Sequence, residues 1–290
     1  MPDLAATPTP TARDWMAALR TTQDQLTRVV TELDDDTLVG PSYDSEWTVA
    51  QVLSHLGSGA EIFDLFLDAG LAGRSAPGIE AFHPVWDAWN GRSAVAKRDD
   101  AVSVNEKLVA KLEGLSPAEA AAFHLDMFGT ETDLAGFLRM RLGEHSVHTW
   151  DVAVALDPSA LVAAGVVELL IDHLGQIAAR SGRASQQPSR VRVTTTDPGR
   201  DFFVSVGETV TAEPVAGSET TGTTNTTTAT AATTATDWVD GSLTLPAEAY
   251  LRLIYGRLDP DHTPELAATG SPANTGARGL DDLRATFQGF

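Results

Sequence analysis

The stretch LAGFLRMRLGEHSVHTWDVAVAL, residues 134–156, decides how this chain is read. On a helix that advances about 100° per residue, Leu134, Phe137, Leu138, Val152, Ala155 and Leu156 project from one side and describe a face made for a core. Arg141, Glu144, His145 and His148 project from that same side. Ionisable groups inside an apolar face are costly to bury unless they bind one another or an ion. Glu144 and His148 stand four residues apart, so their side chains lie one above the other and can close on a single cation. A Glu-x-x-x-His pair alone is usually solvated, and two ligands make a weak site, so a third must come from elsewhere.

Working outward, Thr48 followed by Gln51 forms a capping-box pattern flanked by Trp47 and Val52 at the staple positions, which starts a helix running to about Gly70. His55 sits at the edge of that helix's apolar stripe beside Ile62 and Phe66, and Gly59 leaves space one turn later. A core histidine is the commoner reading of such a residue. Its placement in a second helix of one bundle makes it the third candidate, giving His55, Glu144 and His148. Two imidazoles and a carboxylate suit zinc, and three protein ligands leave a fourth position open, the mark of a catalytic rather than a scaffolding metal. Asp151 shares the side of Glu144 and His148 and can hydrogen-bond a ligand ring nitrogen. His83, His124, His145, His173 and His262 are read as structural.

The rest of the N-terminal half is also helical. Trp15, Leu19, Leu26, Val29, Val30 and Leu33 give helical spacing from Thr11 to about Asp34. Residues 72–91 read as an irregular connection with one helical turn, 93–115 as a charged helix, and Ser116-Pro117 as the start of a short one. Ser159 to Ser181 repeats helical spacing. Beyond it the pattern changes: 190–196, 202–206 and 209–213 alternate or are β-branched as strands are. Residues 238–245 read as a further strand, 246–255 as a helix ended by Gly256, and 280–287 as a last short helix. The expected fold is a four-helix bundle over 1–157 followed by a smaller α+β domain over 158–290. Residues 216–236, about half threonine, read as a disordered surface loop.

Composition bounds the function. A chain of 290 residues with 42% apolar residues can bury two cores, and a formal charge of −20 repels phosphate backbones and anionic membranes. No cysteine occurs, so thiolate ligation and an internal sulfur nucleophile are excluded. The opening MPDLAATPTPTARDW lacks the basic and apolar regions of a signal peptide, and no uncharged apolar run is long enough to span a bilayer. A cytoplasmic protein with neither nucleic-acid nor membrane partners is expected.

The strings Trp47-Thr-Val-Ala-Gln-Val-Leu-Ser-His55 and Arg141-Leu-Gly-Glu144-His-Ser-Val-His148-Thr-Trp-Asp151-Val resemble the two signature segments of the mycothiol-dependent maleylpyruvate isomerase family. Its N-terminal domain is a DinB-like four-helix bundle. Leu251-Arg-Leu-Ile-Tyr-Gly-Arg257-Leu and the ending Phe287-Gln-Gly-Phe290 are similar to that family's second, sterol-carrier-like domain. The resemblance implies zinc on His55, Glu144 and His148, mycothiol as a low-molecular-weight thiol cosubstrate, and a small electrophilic acid such as maleylpyruvate as substrate. It further implies a catalytic role for Arg257, meeting a substrate carboxylate, although an arginine after a helix-ending glycine is often only a surface charge. The absence of cysteine agrees with a nucleophile that arrives with the cosubstrate. Three rivals remain: a mycothiol S-transferase that releases a stable conjugate, a small-ligand or lipid carrier whose metal is structural, and a metal-activated hydrolase, which no serine-elbow or HExxH motif supports.

Overall fold

The structure, a computed structural model, describes residues 9–43, 46–127, 129–215, 238–264, 275–276 and 278–289. The chain divides into two compact units, Met1–Val166 and Val167–Phe290. The threonine-rich stretch 216–236 lies outside the described residues.

The first unit is built on four long helices: α1 (Ala12–Thr31), α3 (Val49–Leu71), α5 (Ala94–Glu113) and α7 (Leu134–Ala153), with the short α2 (Asp35–Val39), α4 (His83–Asn90) and α6 (Pro117–Ala122) between them. Their starts are set locally. The Thr48 hydroxyl accepts from Gln51 N at 3.2 Å while Gln51 Oε1 accepts from Thr48 N at 2.8 Å, so two donors at the head of α3 are satisfied reciprocally. The Asp133 carboxylate accepts from Gly136 N at 2.8 Å and starts α7. α1 packs against α5 and α7, and α3 against the same two helices, so the four close into a bundle. Leu19, Leu26, Leu53, Leu56, Leu112, Phe137, Leu138 and Val152 fill its core.

Three features between α3 and the end of α7 differ from the sequence expectation. The connection after α3 contains the eight-residue helix α4, whose Trp89 is buried against α3 because Gly57 has no side chain to collide with the indole. Before α7 a hairpin forms from β1 (Leu125–Met127) and β2 (Thr130–Thr132); Gly129, at φ +87°, donates to Asp126 Oδ1 at 2.8 Å in its turn. α7 ends at Ala153, so Ala155 and Leu156 do not extend its buried face.

Residues 159–181 form no single helix. They break into α8 (Ala164–Leu170), a 3₁₀ turn (Ile171–His173) and α9 (Gly175–Ser181), with a glycine opening α9 where its backbone comes close to the Ala212 carbonyl. The second unit holds a mixed sheet of β3 (Ser189–Thr196), β4 (Arg200–Val206), β5 (Val210–Pro214), β6 (Gly241–Pro246) and a two-residue edge, β7 (Thr275–Gly276). The order is β5-β4-β3-β6-β7, with β6 parallel to β3 and the other pairs antiparallel. α10 (Ala247–Ile254) packs on β3 and β6, and its Tyr250 stacks on Phe202 with centroids 4.8 Å apart. α11 (Leu280–Thr286) completes this unit. Among the described residues no helix is long and apolar enough to cross a membrane.

Candidate metal centre

Because α3 packs on α7, the lone histidine of one helix meets the ionisable turns of the other. His55 Nε2 lies 3.6 Å from Glu144 Oε2, and His148 Nε2 lies 3.7 Å from the same oxygen. One donor atom from each of the three residues falls within 4.8 Å of the others. The two imidazole rings stand with centroids 4.5 Å apart and planes at 70°, edge to face, so both can aim a nitrogen at one point. Zinc bonds of about 2.0–2.2 Å in a tetrahedron separate neighbouring donors by roughly 3.3–3.6 Å, close to the two separations that Glu144 makes with the imidazoles. The donor set and its spacing fit a divalent ion.

The surroundings orient the set. His148 Nδ1 lies 2.8 Å from Asp151 Oδ2, and the carboxylate is buried, so the ring donates from Nδ1 and presents its Nε2 lone pair. The side chains of His55 and Glu144 are 38% and 31% exposed against 15% for His148, so the cluster opens toward solvent on the His55 and Glu144 side. Trp47 is partly exposed and lies edge-on to His55 with centroids 5.6 Å apart.

Desolvation holds the His55 pKa below that of an ordinary imidazole. The charge of Arg141 acts the same way, against the pull of Glu144. Neutral imidazole, the form that can donate to a metal, therefore prevails at neutral pH.

Behind the cluster, Arg141 is buried, as sequence periodicity requires. One of its nitrogens, Nη2, donates to the Asn105 carboxamide oxygen and lies 3.4 Å from His145 Nδ1. Its guanidinium carbon sits 5.2 Å from the Phe63 ring centroid. The space beside Gly59 faces Arg141 Nη1, 3.3 Å from where a Cβ would sit, rather than the His55 ring. Asn105, anchored by donating to Ala101 O at 2.8 Å and Leu56 O at 3.2 Å, was not among the sequence candidates. The same argument finds it, since it interrupts the buried run Ala101, Leu108, Val109 and Leu112 on α5.

Arg257 belongs to the second unit. Gly256, at φ +74°, ends α10, and its missing side chain makes way for Gly289. Arg257 itself is buried and donates from Nη1 to Tyr255 O at 2.6 Å. The buried Arg252, paired with Glu248 at 2.7 and 2.9 Å, donates to the Arg257 carbonyl at 3.0 Å and fixes this turn.

A helical bundle with a His-Glu-His cluster on two facing helices, followed in one chain by a small α+β unit, is the architecture so far. Residues 19–153 match the family model of the mycothiol maleylpyruvate isomerase N-terminal domain. Two solved structures share the fold. A crystal structure of the mycothiol-dependent maleylpyruvate isomerase matches at TM-score 0.60 and 13% identity, covering 86% of this chain and 90% of that one. A histidine-to-alanine mutant of the mycothiol-dependent maleylpyruvate isomerase matches at TM-score 0.61 and 12% identity, covering 92% and 98%. A comparison with curated protein sequences finds no match.

Proposed function

We propose that this chain is a zinc-dependent enzyme that uses mycothiol to isomerise a small electrophilic acid of the maleylpyruvate kind. The observation that carries the reading is the convergence of one donor atom each from His55, Glu144 and His148 within 4.8 Å, on the side of the bundle where His55 and Glu144 are partly exposed. Zinc bound there would lower the pKa of an entering thiol and hold it as thiolate at neutral pH. Asp151 keeps His148 in the tautomer that presents Nε2, and partial desolvation holds the His55 pKa down, so its ring is neutral at neutral pH. A thiol activated there would be able to add to the double bond of the acid, freeing a single bond to rotate, and its release as the same thiolate would leave the trans isomer. Arg257 is assigned to a substrate carboxylate, for which a planar guanidinium offers two parallel donors.

Metal analysis of the purified full-length protein beside His148→Ala tests the site: about one zinc per chain is expected in the wild type, with loss in the variant. Incubation with maleylpyruvate and mycothiol tests the reaction. Isomerisation returns the thiol unchanged, whereas consumption of thiol in proportion to product would show an S-transferase instead.

A further inference from the structure

The loop that leads into α3 is tied to both helices that carry the candidate ligands. Ser42 donates to the Trp47 carbonyl from its backbone nitrogen at 2.8 Å and from its hydroxyl at 2.9 Å, and Val49 N donates to Gly40 O at 3.1 Å. Pro41 and Thr48 form an antiparallel bridge across the same loop. On the α7 side, Tyr43 packs on Trp150 with ring centroids 4.9 Å apart. Trp150 is itself buried and donates from Nε1 to Ala160 O at 2.7 Å. The backbone at Trp47 is therefore held from two directions before any ligand arrives.

The Trp47 side chain does not use that anchorage to enter the core. Trp15, Trp89 and Trp150 of the same unit are buried, whereas Trp47 is 38% exposed. It stands edge-on to His55 with centroids 5.6 Å apart, on the side where His55 and Glu144 are themselves partly exposed. An aromatic face held in place beside a small-molecule site supplies apolar contact at low entropic cost.

The chemistry of that face selects its occupant. The face of an indole is electron-rich, so it disfavours a carboxylate and accepts the C–H face of a neutral ring. Of the two small molecules assigned to this site, the acid has no ring, whereas mycothiol is an N-acetylcysteine joined to a glucosamine and an inositol. Its sulfur and its first sugar ring are five bonds apart, a reach of roughly 6 Å. The Trp47 and His55 rings are separated by nearly the same span. A thiol held beside His55 thus brings its first ring to Trp47.

We propose that Trp47 is the platform on which a sugar ring of the thiol cosubstrate stacks. This rests on the reading of the site as one that takes mycothiol, and it deepens it by naming the residue that tells a sugar-bearing thiol from a plain one. Trp47 also occupies the staple position before the Thr48 cap of α3, so the test must separate binding from helix support.

The test is calorimetric titration of mycothiol and, separately, of N-acetylcysteine into zinc-loaded full-length protein, with zinc content measured on every sample. Wild type binds mycothiol at least about 10-fold more tightly than N-acetylcysteine. Trp47→Ala loses about 10-fold for mycothiol, the scale of one aromatic contact with the apolar area it covers. Its affinity for N-acetylcysteine stays within about twofold of wild type. Trp47→Phe, which keeps a smaller aromatic face, lies between.

A residue that only supported α3 or His55 would change both thiols alike. An equal loss for the two thiols, or loss of zinc in Trp47→Ala, therefore overturns the proposal. Equal affinity of wild type for the two thiols overturns it while leaving a thiol site in place. A wild type that takes up no zinc, or that binds neither thiol, sinks the mycothiol reading and the proposal with it.

Discussion

Replacing Asp151 removes the group that orients His148 while leaving all three candidate metal ligands in place. Its Oδ2 lies 2.8 Å from His148 Nδ1, and the residue is 1% exposed, so water cannot substitute for the lost carboxylate. In Asp151→Ala, the ring loses the acceptor that fixes its tautomer, and Nε2 loses basicity. Groups of this kind contribute about 10- to 100-fold to metal affinity, or about 1.4–2.8 kcal/mol. Asp151→Asn keeps size and can still accept from Nδ1 but carries no charge, so its loss should lie between the wild type and alanine. Competition for zinc against a chromophoric chelator measures this directly, with thermal melts of the metal-free proteins as the control for folding. If both variants hold zinc within about twofold of wild type, then Asp151 does not orient the site, and the His148 tautomer argument is wrong.

Further predictions concern stability. Burial holds the His145 pKa well below its ordinary 6.5. As pH falls through that value, the unfolded chain takes up a proton that the folded one refuses, so stability falls toward acid by up to about 1.4 kcal/mol per pH unit. Melting of metal-free protein from about pH 7.5 to 5.5 should show this slope, and His145→Phe should flatten it. Gly57→Ala forces a methyl into the Trp89 ring and should cost about 1–3 kcal/mol in urea unfolding. Glu248→Ala leaves Arg252 buried without its bidentate partner and should cost about 3–5 kcal/mol, read from the same curves.

What could be read from the sequence is what depends on near neighbours. The Thr48 and Gln51 box and the polar interruption of α7 are contained within a few turns, and the structure places them where periodicity and capping chemistry say. The β-branched runs that become β3, β4 and β5 announce themselves by alternation. Glu144 and His148 share a face because a helix has a fixed pitch, whatever surrounds it. The hairpin before α7 escaped because its strands are three residues each, too short for a period to show.

Tertiary packing alone decides the rest. Whether His55 reaches Glu144 depends on the rotation and height of α3 against α7. Those are set by many apolar contacts and by the glycines that let Trp89 and Arg141 come close. The pairing of β6 beside β3, parallel and separated by a long stretch of chain, is equally invisible to local pattern. The surroundings of Arg141 could not be read from the sequence either. The sequence shows that a cation sits on a core face, but only the packed helices bring Asn105, His145 and Phe63 against it.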